Sequence, residues 1–298
     1  MKQITLNGLE IEIKAKKKRK KENFQKRLSD EQIIKKLIEY SRDIWSFNNA
    51  PRTKEAIEHG ATFSPELIRR IMWIYSEEKD TVVDPFLGSG TTMKICKELK
   101  RNCIGFELNT KFYTQFIKPL LLQKEIIASG LKFQCYNEDC RNILNYIPPD
   151  SIQLILTSPP YASFIQKSLK DREKRKESAY KASHIHQYSH DEKDFGNLNY
   201  EAFLKEMSSL IESFYQILGI DGFLIFIVKD YRDMENGIGY IPFHNDLSTI
   251  CVSKGFFYHD LIIEDQNEHR KLKLNGSKRL FYTNLNANFI LVLRKIRK

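Results

Sequence analysis

The stretch Val82-Val83-Asp84-Pro85-Phe86-Leu87-Gly88-Ser89-Gly90-Thr91-Thr92 constrains this chain more than any other. Two β-branched residues feed a carboxylate, a Gly-Ser-Gly turn follows, and Met93, Ile95, Cys96 and Leu99 continue at helical spacing. The pattern predicts a buried strand, a tight loop and an amphipathic helix. In an open α/β sheet such a loop lies at the carboxyl end of a strand, where ligands bind. Gly88 and Gly90 let backbone approach a ligand closely, because neither carries a Cβ. A nucleoside triphosphate is disfavoured: a P-loop needs Lys after its last glycine, and Thr91 stands there. A dinucleotide fingerprint needs three spaced glycines, and only two are present.

Further strands are predicted at Asn102–Glu107, Lys132–Tyr136, Ile152–Thr157, Phe223–Val228, Phe256–Ile263 and Asn288–Leu293. Helical patterns alternate with the first of them, which implies βαβ units and a largely parallel sheet. Ser64 is placed to cap a helix with Pro65 at its first position and Glu66 in its first turn, running to about Tyr75. A helix is expected from Asp30 and another near Tyr200–Leu218, with a turn at Asp221-Gly222 and a helix over Asn245–Ser253. Trp45 to Pro51 reads as a loop, and Trp45 and Trp73 as core.

Residues 162–199 interrupt the alternation with a polar segment, and so long a non-periodic insertion beside a presumed site points to function. Residues 1–30 form a basic segment that should pack loosely, since Lys14, Lys16, Lys17, Lys18, Arg19, Lys20 and Lys21 repel one another. That block serves as a nucleic-acid arm or as a solvated tail. Residues 31–298 are expected to form one α/β domain. The formal charge of +10 fits a polyanionic partner, or simply solubility. No apolar run of about eighteen residues and no secretory leader is found, so a soluble, cytoplasmic protein is expected. The five cysteines include no C-x-x-C pair, so buried, reduced thiols are expected, without disulfides or zinc. His184, His186 and His190 read as a solvated loop or as phosphate contacts rather than as a metal site, and no metal is expected.

Asp84, Glu107 and Asp139 each end a predicted strand. A carboxylate about twenty residues past a glycine loop can accept both hydroxyl hydrogens of a ribose, and Glu107 stands there. Asp139, or its neighbour Glu138, could accept an adenine amino hydrogen. An adenosine-containing cofactor without phosphates is therefore expected, and S-adenosylmethionine satisfies that description.

Asp84 to Thr92 together with Thr157-Ser158-Pro159-Pro160-Tyr161 resembles the paired signature of the amino-group DNA methyltransferases. Gly105-Phe106-Glu107-Leu108-Asn109 is similar to that family's ribose motif, and Phe63-Ser64-Pro65-Glu66-Leu67 to its methionine-side motif. The resemblance spans roughly residue 45 to the final strand. It implies a Rossmann-like class I methyltransferase domain: a seven-stranded mixed sheet, last strand antiparallel, with helices on both faces. Phe63, Ser64, Glu66, Asp84, Pro85, Phe86, Gly88, Gly90, Thr91, Thr92, Glu107, Leu108 and Asp139 would then hold the cofactor. Ser158, Pro159, Pro160 and Tyr161 would carry catalysis.

An exocyclic amino nitrogen is a poor nucleophile because its lone pair is delocalised into the ring. Ser158 Oγ and the Pro159 carbonyl can accept its hydrogens, and the prolines fix that backbone beforehand. Tyr161 offers a face to a base that has left the duplex stack. None of the five cysteines follows a proline, which disfavours carbon-5 cytosine methylation, and the Pro-Cys-x-x-Cys pair of zinc deaminases is missing. Duplex DNA with a flipped target base is the expected partner, with a restriction endonuclease in the same system a further one. No separate domain for target recognition stands out, which leaves 162–199 for that work and Lys167, Lys170, Arg172, Lys174, Arg175 and Lys176 for phosphates. Cytosine-N4 is favoured over adenine-N6 because Ser, rather than Asp or Asn, precedes Pro-Pro-Tyr. An RNA amino-methyltransferase and a non-catalytic nucleic-acid-binding subunit are the alternatives.

Overall fold

The computed structural model describes residues 2–6, 9–13, 29–47, 64–124, 126, 130–160, 194–233, 238–270, 272 and 277–297. Two compact units divide it, Met1–Ser41 and Arg42–Lys298. In the first, β1 (Lys2–Leu6) pairs antiparallel with β2 (Leu9–Ile13), a hairpin that the charge-based reading of residues 1–30 did not anticipate. α1 (Asp30–Tyr40) follows, closed by a capping box in which Ser29 and Gln32 satisfy each other's backbone N–H groups. The lysine block at 14–21 lies outside the described residues.

The second unit is built on one eight-stranded sheet. Its strands are β3 (Ile44–Ser46), β4 (Thr81–Asp84), β5 (Asn102–Phe106), β6 (Phe133–Tyr136), β7 (Ile152–Thr157), β8 (Leu218–Val228), β11 (Phe257–Asp265) and β12 (Ala287–Arg294). β9 (Tyr231–Asp233) and β10 (Ile238–Ile241) form a separate antiparallel pair. The sheet order is β3-β11-β12-β8-β7-β4-β5-β6, and β12 alone runs against its neighbours. The seven strands expected from sequence are all present, with the last reversed. The eighth corrects the loop reading at Trp45: Ile44–Ser46 is too short for a period-2 signal, yet it pairs parallel with the edge strand β11. Trp45 is 1% exposed, as expected of a core residue, whereas Trp73 is only half-buried, contrary to the same expectation.

Side chains alternate along each strand, so each face buries its own apolar cluster. α2 (Pro65–Tyr75) and α3 (Thr91–Glu98) cover one face through Leu67, Ile71, Met72, Met93 and Ile95, against Val82, Leu154, Leu156 and Ile227. α4 (Tyr200–Ile217) and α5 (Phe243–Ser253) cover the other through Phe203, Met207, Phe214 and Phe243, against Val83, Ile155, Phe226 and Val228. α2 starts as its sequence demands, with Pro65 in its first turn and Ser64 Oγ accepting from Glu66 N at 3.3 Å. Such a cap contributes about 1 kcal/mol.

The expected turn at Asp221-Gly222 is an irregularity inside β8. From Ile152↔Leu218 to Leu154↔Phe223, β7 advances two residues while β8 advances five. Asp221 takes φ 68°, and a Cβ on Gly222 would sit 2.9 Å from Gly219 O, so the excess is looped out tightly.

Candidate active site

β4, β5 and β7 run parallel and side by side, so Asp84, Glu107 and Ser158 reach the same carboxyl edge of the sheet. Asp84 is 5% exposed, and both its oxygens are engaged. Oδ1 accepts from Thr157 Oγ1 at 2.7 Å and Phe86 N at 3.1 Å, and Oδ2 accepts from Thr92 Oγ1 at 2.6 Å. One carboxylate thus joins the end of β4, the first turn of α3 and the residue before Ser158. Burial pushes its carboxyl above the usual range, while the two hydroxyls and the Phe86 N–H pull it back.

The glycine loop has its shape for steric reasons. Gly90 caps α3 at φ 80°, and a Cβ there would lie 2.9 Å from Ile117 Cδ1. A Cβ on Gly105 of β5 would collide with Leu87, whose side chain lies against that strand. Glu107 closes the loop from β5: Oε2 accepts from Gly88 N at 2.8 Å and Oε1 from Asn109 N at 2.7 Å. Burial, with Asp194 and Asp84 nearby, pushes its carboxyl up to about 8, although both backbone N–H groups oppose that shift. Asn137 Nδ2 fixes the strand end by donating to Glu107 O at 2.7 Å and Leu108 O at 3.2 Å.

Asp139 caps the 3₁₀ turn Cys140–Asn145, and its carboxylate pairs with Arg141 at 2.6 Å. Arg141 in turn reaches Glu206 at 3.0 Å and lies over the Phe195 ring, 5.0 Å from its centroid. Phe195 meets Phe86 edge to face at 5.5 Å. Thr157, Asp194 and Phe195 are therefore site residues that motif reading did not select. Asp194 and Phe195 carry no local signal, since they end a polar insertion. Residues 194–199 of that insertion are described, and Asp194 and Phe195 are buried in the fold.

The remaining predicted residues divide clearly. Ser158, Pro159, Pro160, Pro85, Gly88, Thr91 and Leu108 lie at or beside the same edge by sequence and strand register. Glu66 instead binds Arg69 at 2.5 Å, and Arg69 binds Glu98 at 2.7 Å, so this residue ties α2 to α3. Phe63, Tyr161, His184, His186, His190 and the six basic residues from Lys167 to Lys176 lie outside the described residues.

A family model described as DNA methylase, of the N6/N4 class, matches residues 2–118. The Type II methyltransferase M.MjaI of Methanocaldococcus jannaschii is 42% identical over 82 residues, covering 27% of this chain and 25% of that protein. M.SmaI of Serratia marcescens is 34% identical over 103 residues, 35% of this chain and 33% of that protein. Over these stretches the chain is similar to DNA methylases of the N6/N4 class. The matches span a quarter to a third of the length of these relatives. Among solved structures, TrmN from Thermus thermophilus aligns with 82% of this chain and 53% of its own at 14% identity, with a TM-score of 0.49. The fold rests on the chain's own strand order, a largely parallel sheet in which β12 is reversed. Among the described residues, no helix is long and apolar enough to cross a membrane.

Proposed function

We propose that this chain is an S-adenosylmethionine-dependent DNA methyltransferase acting on the exocyclic amino group of a base, cytosine N4 before adenine N6. The observation that carries the reading is the 2.7 Å bond from Thr157 to Asp84. It fastens Ser158-Pro159-Pro160 to the strand end that bears the glycine loop, so acceptor chemistry and cofactor chemistry share one edge.

The residues fit the cofactor. Each Glu107 oxygen accepts one backbone N–H, and a carboxylate offers about four lone-pair sites, so capacity remains for two ribose hydroxyls. Gly88 and Gly90 leave room beside it. Asp139, held by Arg141, keeps one rotamer against the adenine side. Asp84 supports the loop from beneath, because its oxygens already serve Thr92, Thr157 and Phe86. When bound, S-adenosylmethionine supplies an electrophilic methyl group.

The chain's own part is to prepare the nucleophile. Ser158 Oγ and the Pro159 carbonyl accept the amino hydrogens and draw the nitrogen towards tetrahedral geometry. The rigid Pro-Pro backbone needs no ordering when the base arrives. The proton lost after transfer comes from an acidic ammonium and can leave to water. Ser158 can also donate to the ring nitrogen that cytosine presents unprotonated, which supports N4 over N6. Duplex DNA with an extruded base is the proposed substrate, and a restriction endonuclease of the same system the proposed partner.

Nucleoside mass spectrometry of DNA from cells expressing the chain tests the reading. N4-methylcytosine is expected. N6-methyladenine alone would overturn the base choice, and neither product would overturn DNA methylation. Phosphate binding is assigned to the Lys167–Lys176 segment. Alanine at Arg172, Lys174, Arg175 and Lys176 should reduce the slope of log affinity against log salt by roughly one per lost contact. An unchanged slope would move the DNA surface elsewhere.

A further inference from the structure

The half of the carboxyl edge beyond β7 holds a cavity of about 140 Å³, walled by Asp230, Tyr240, Asn267, Asn284, Asn286 and Phe289. Asp230 is the second residue beyond β8, Asn267 the second beyond β11, and Asn284 and Asn286 lead into β12, whose reversed direction brings its first residues to this edge. The size suits a single ring, since an apolar cavity of about 150 Å³ takes benzene. The lining suits a polar ring. Phe289 lines the cavity, and its ring is held in place by stacking on His244 at 4.1 Å and 12°. Asn286 is buried, and its Nδ2 donates to Asn267 Oδ1 at 3.1 Å. Its backbone carbonyl accepts from Gln266 N at 3.0 Å, which fixes it against the end of β11. An amide has two N–H donors and two acceptor lone pairs, so one such bond leaves both kinds of group for a ligand.

Asp230 sets the remaining wall rigidly. It accepts from Tyr240 OH at 2.6 Å and holds His244 Nδ1 at 2.8 Å, and these partners outweigh its burial and hold its carboxyl below the usual range. Amides beside an aromatic ring are the chemistry that recognises a planar heterocycle carrying adjacent donors and acceptors.

We propose that this cavity takes a second unpaired nucleobase of the substrate and reads its hydrogen-bonding edge. The inference rests on the DNA-methyltransferase reading. The base facing Ser158 cannot also fill the cavity: β12 lies two strands from β7, about 10 Å away at roughly 4.8 Å per strand.

Two experiments on the full chain decide it. In the first, methylated positions are sequenced in DNA from cells expressing wild type, Asn286→Ala or Asn284→Ala, the last at the partly exposed wall should Asn286→Ala fail to fold. Discrimination should relax by roughly tenfold to a hundredfold at one position other than the methylated base. An unchanged motif, or a changed identity of the methylated base, would overturn the proposal. In the second, asparagine side-chain amides labelled with nitrogen-15 are followed while each of the four nucleosides is added at millimolar concentration. Excess S-adenosylhomocysteine keeps nucleosides out of the cofactor site. A shift of the Asn286 amide with at least one nucleoside is expected, and none with any of the four would overturn it. Should the wild type methylate no DNA, the first experiment would sink the parent reading, and the second would still decide the cavity.

Discussion

At their carboxyl ends β4, β5 and β6 lead into Asp84, Glu107 and Asp139, whose oxygens are held by backbone N–H groups, hydroxyls and one arginine. β8, β11 and β12 present Lys229, Glu264, Gln266 and Asn288 on one face of the sheet and adjoin Asp230, Asn267 and Asn286 about the cavity. In the first half the acidic groups shape a loop, and Arg141 pairs with one of them. In the second, Glu264 accepts from Asn288 at 2.5 Å and Gln266 at 3.2 Å, and burial pushes Lys229 down to about 8, with Arg270 acting the same way and Glu264 opposing. A sulfonium-bearing nucleoside suits the first environment, and neutral ring edges beside phosphates suit the second. On the proposed reading, the cofactor lies over β4, β5 and β6 and the substrate over β8, β11 and β12, on one edge of the same sheet.

The largest effect should come from the boundary between the halves. Ser158→Ala should lower single-turnover methyl transfer by roughly 10²–10³-fold, the cost of losing one preorganised polar group, with cofactor affinity unchanged. A variant that keeps its rate would remove Ser158 from the chemistry.

Glu107→Gln should weaken cofactor binding by about tenfold to a hundredfold, as loss of charge-assisted hydrogen bonds does. The pH dependence is sharper still. With the Glu107 carboxyl near 8 in the free protein and 4.5 as its ordinary value, the folded state holds the extra proton, so its contribution to stability is lost as pH rises through that window. Ribose hydroxyls need the carboxylate, so cofactor affinity should rise over the same window, with proton release on binding. Calorimetry in buffers of different ionisation enthalpy measures that proton. A pH-independent affinity in wild type would separate Glu107 from the ribose.

Thr157→Val removes one hydroxyl from buried Asp84 and should cost about 1–3 kcal/mol in urea unfolding. A cost near zero would mean that the bond between β7 and β4 holds nothing in place. Glu264→Gln is the smallest. It lies in the other half, so cofactor affinity should stay within about 0.3–0.5 kcal/mol, roughly twofold. Burial raises the Glu264 carboxyl, so this substitution should also flatten the loss of stability with rising pH. A large loss of cofactor affinity here would erase the division between the halves.

The first half was legible in sequence because its residues are local. Asp84 and Gly88–Thr92 are contiguous, and Glu107 and Ser158 follow strands long enough to announce themselves. What Asp84 does was not legible: its bond to Thr157 spans 73 residues and arises only when β4 and β7 pair. Phe195 was hidden for a similar reason, since its packing on Phe86 and Arg141 joins three separate segments. β3 escaped because three residues carry no period, and its pairing depends on the free edge of β11. The second half left no motif, because its asparagines sit in connecting chain and gain meaning only from where β12 begins.

The reversal of β12 has a consequence for how such a molecule can change. A parallel strand delivers only its last residues to the working edge, and altering what precedes it disturbs the opposite side of the sheet. β11 ends where β12 begins, so the whole of residues 266–286 is strung between two anchors on the working edge. Lengthening or replacing that connection leaves Leu291, Val292 and Leu293 in their places between β11 and β8. A change in that connection therefore leaves the pairing of β8, β12 and β11 intact.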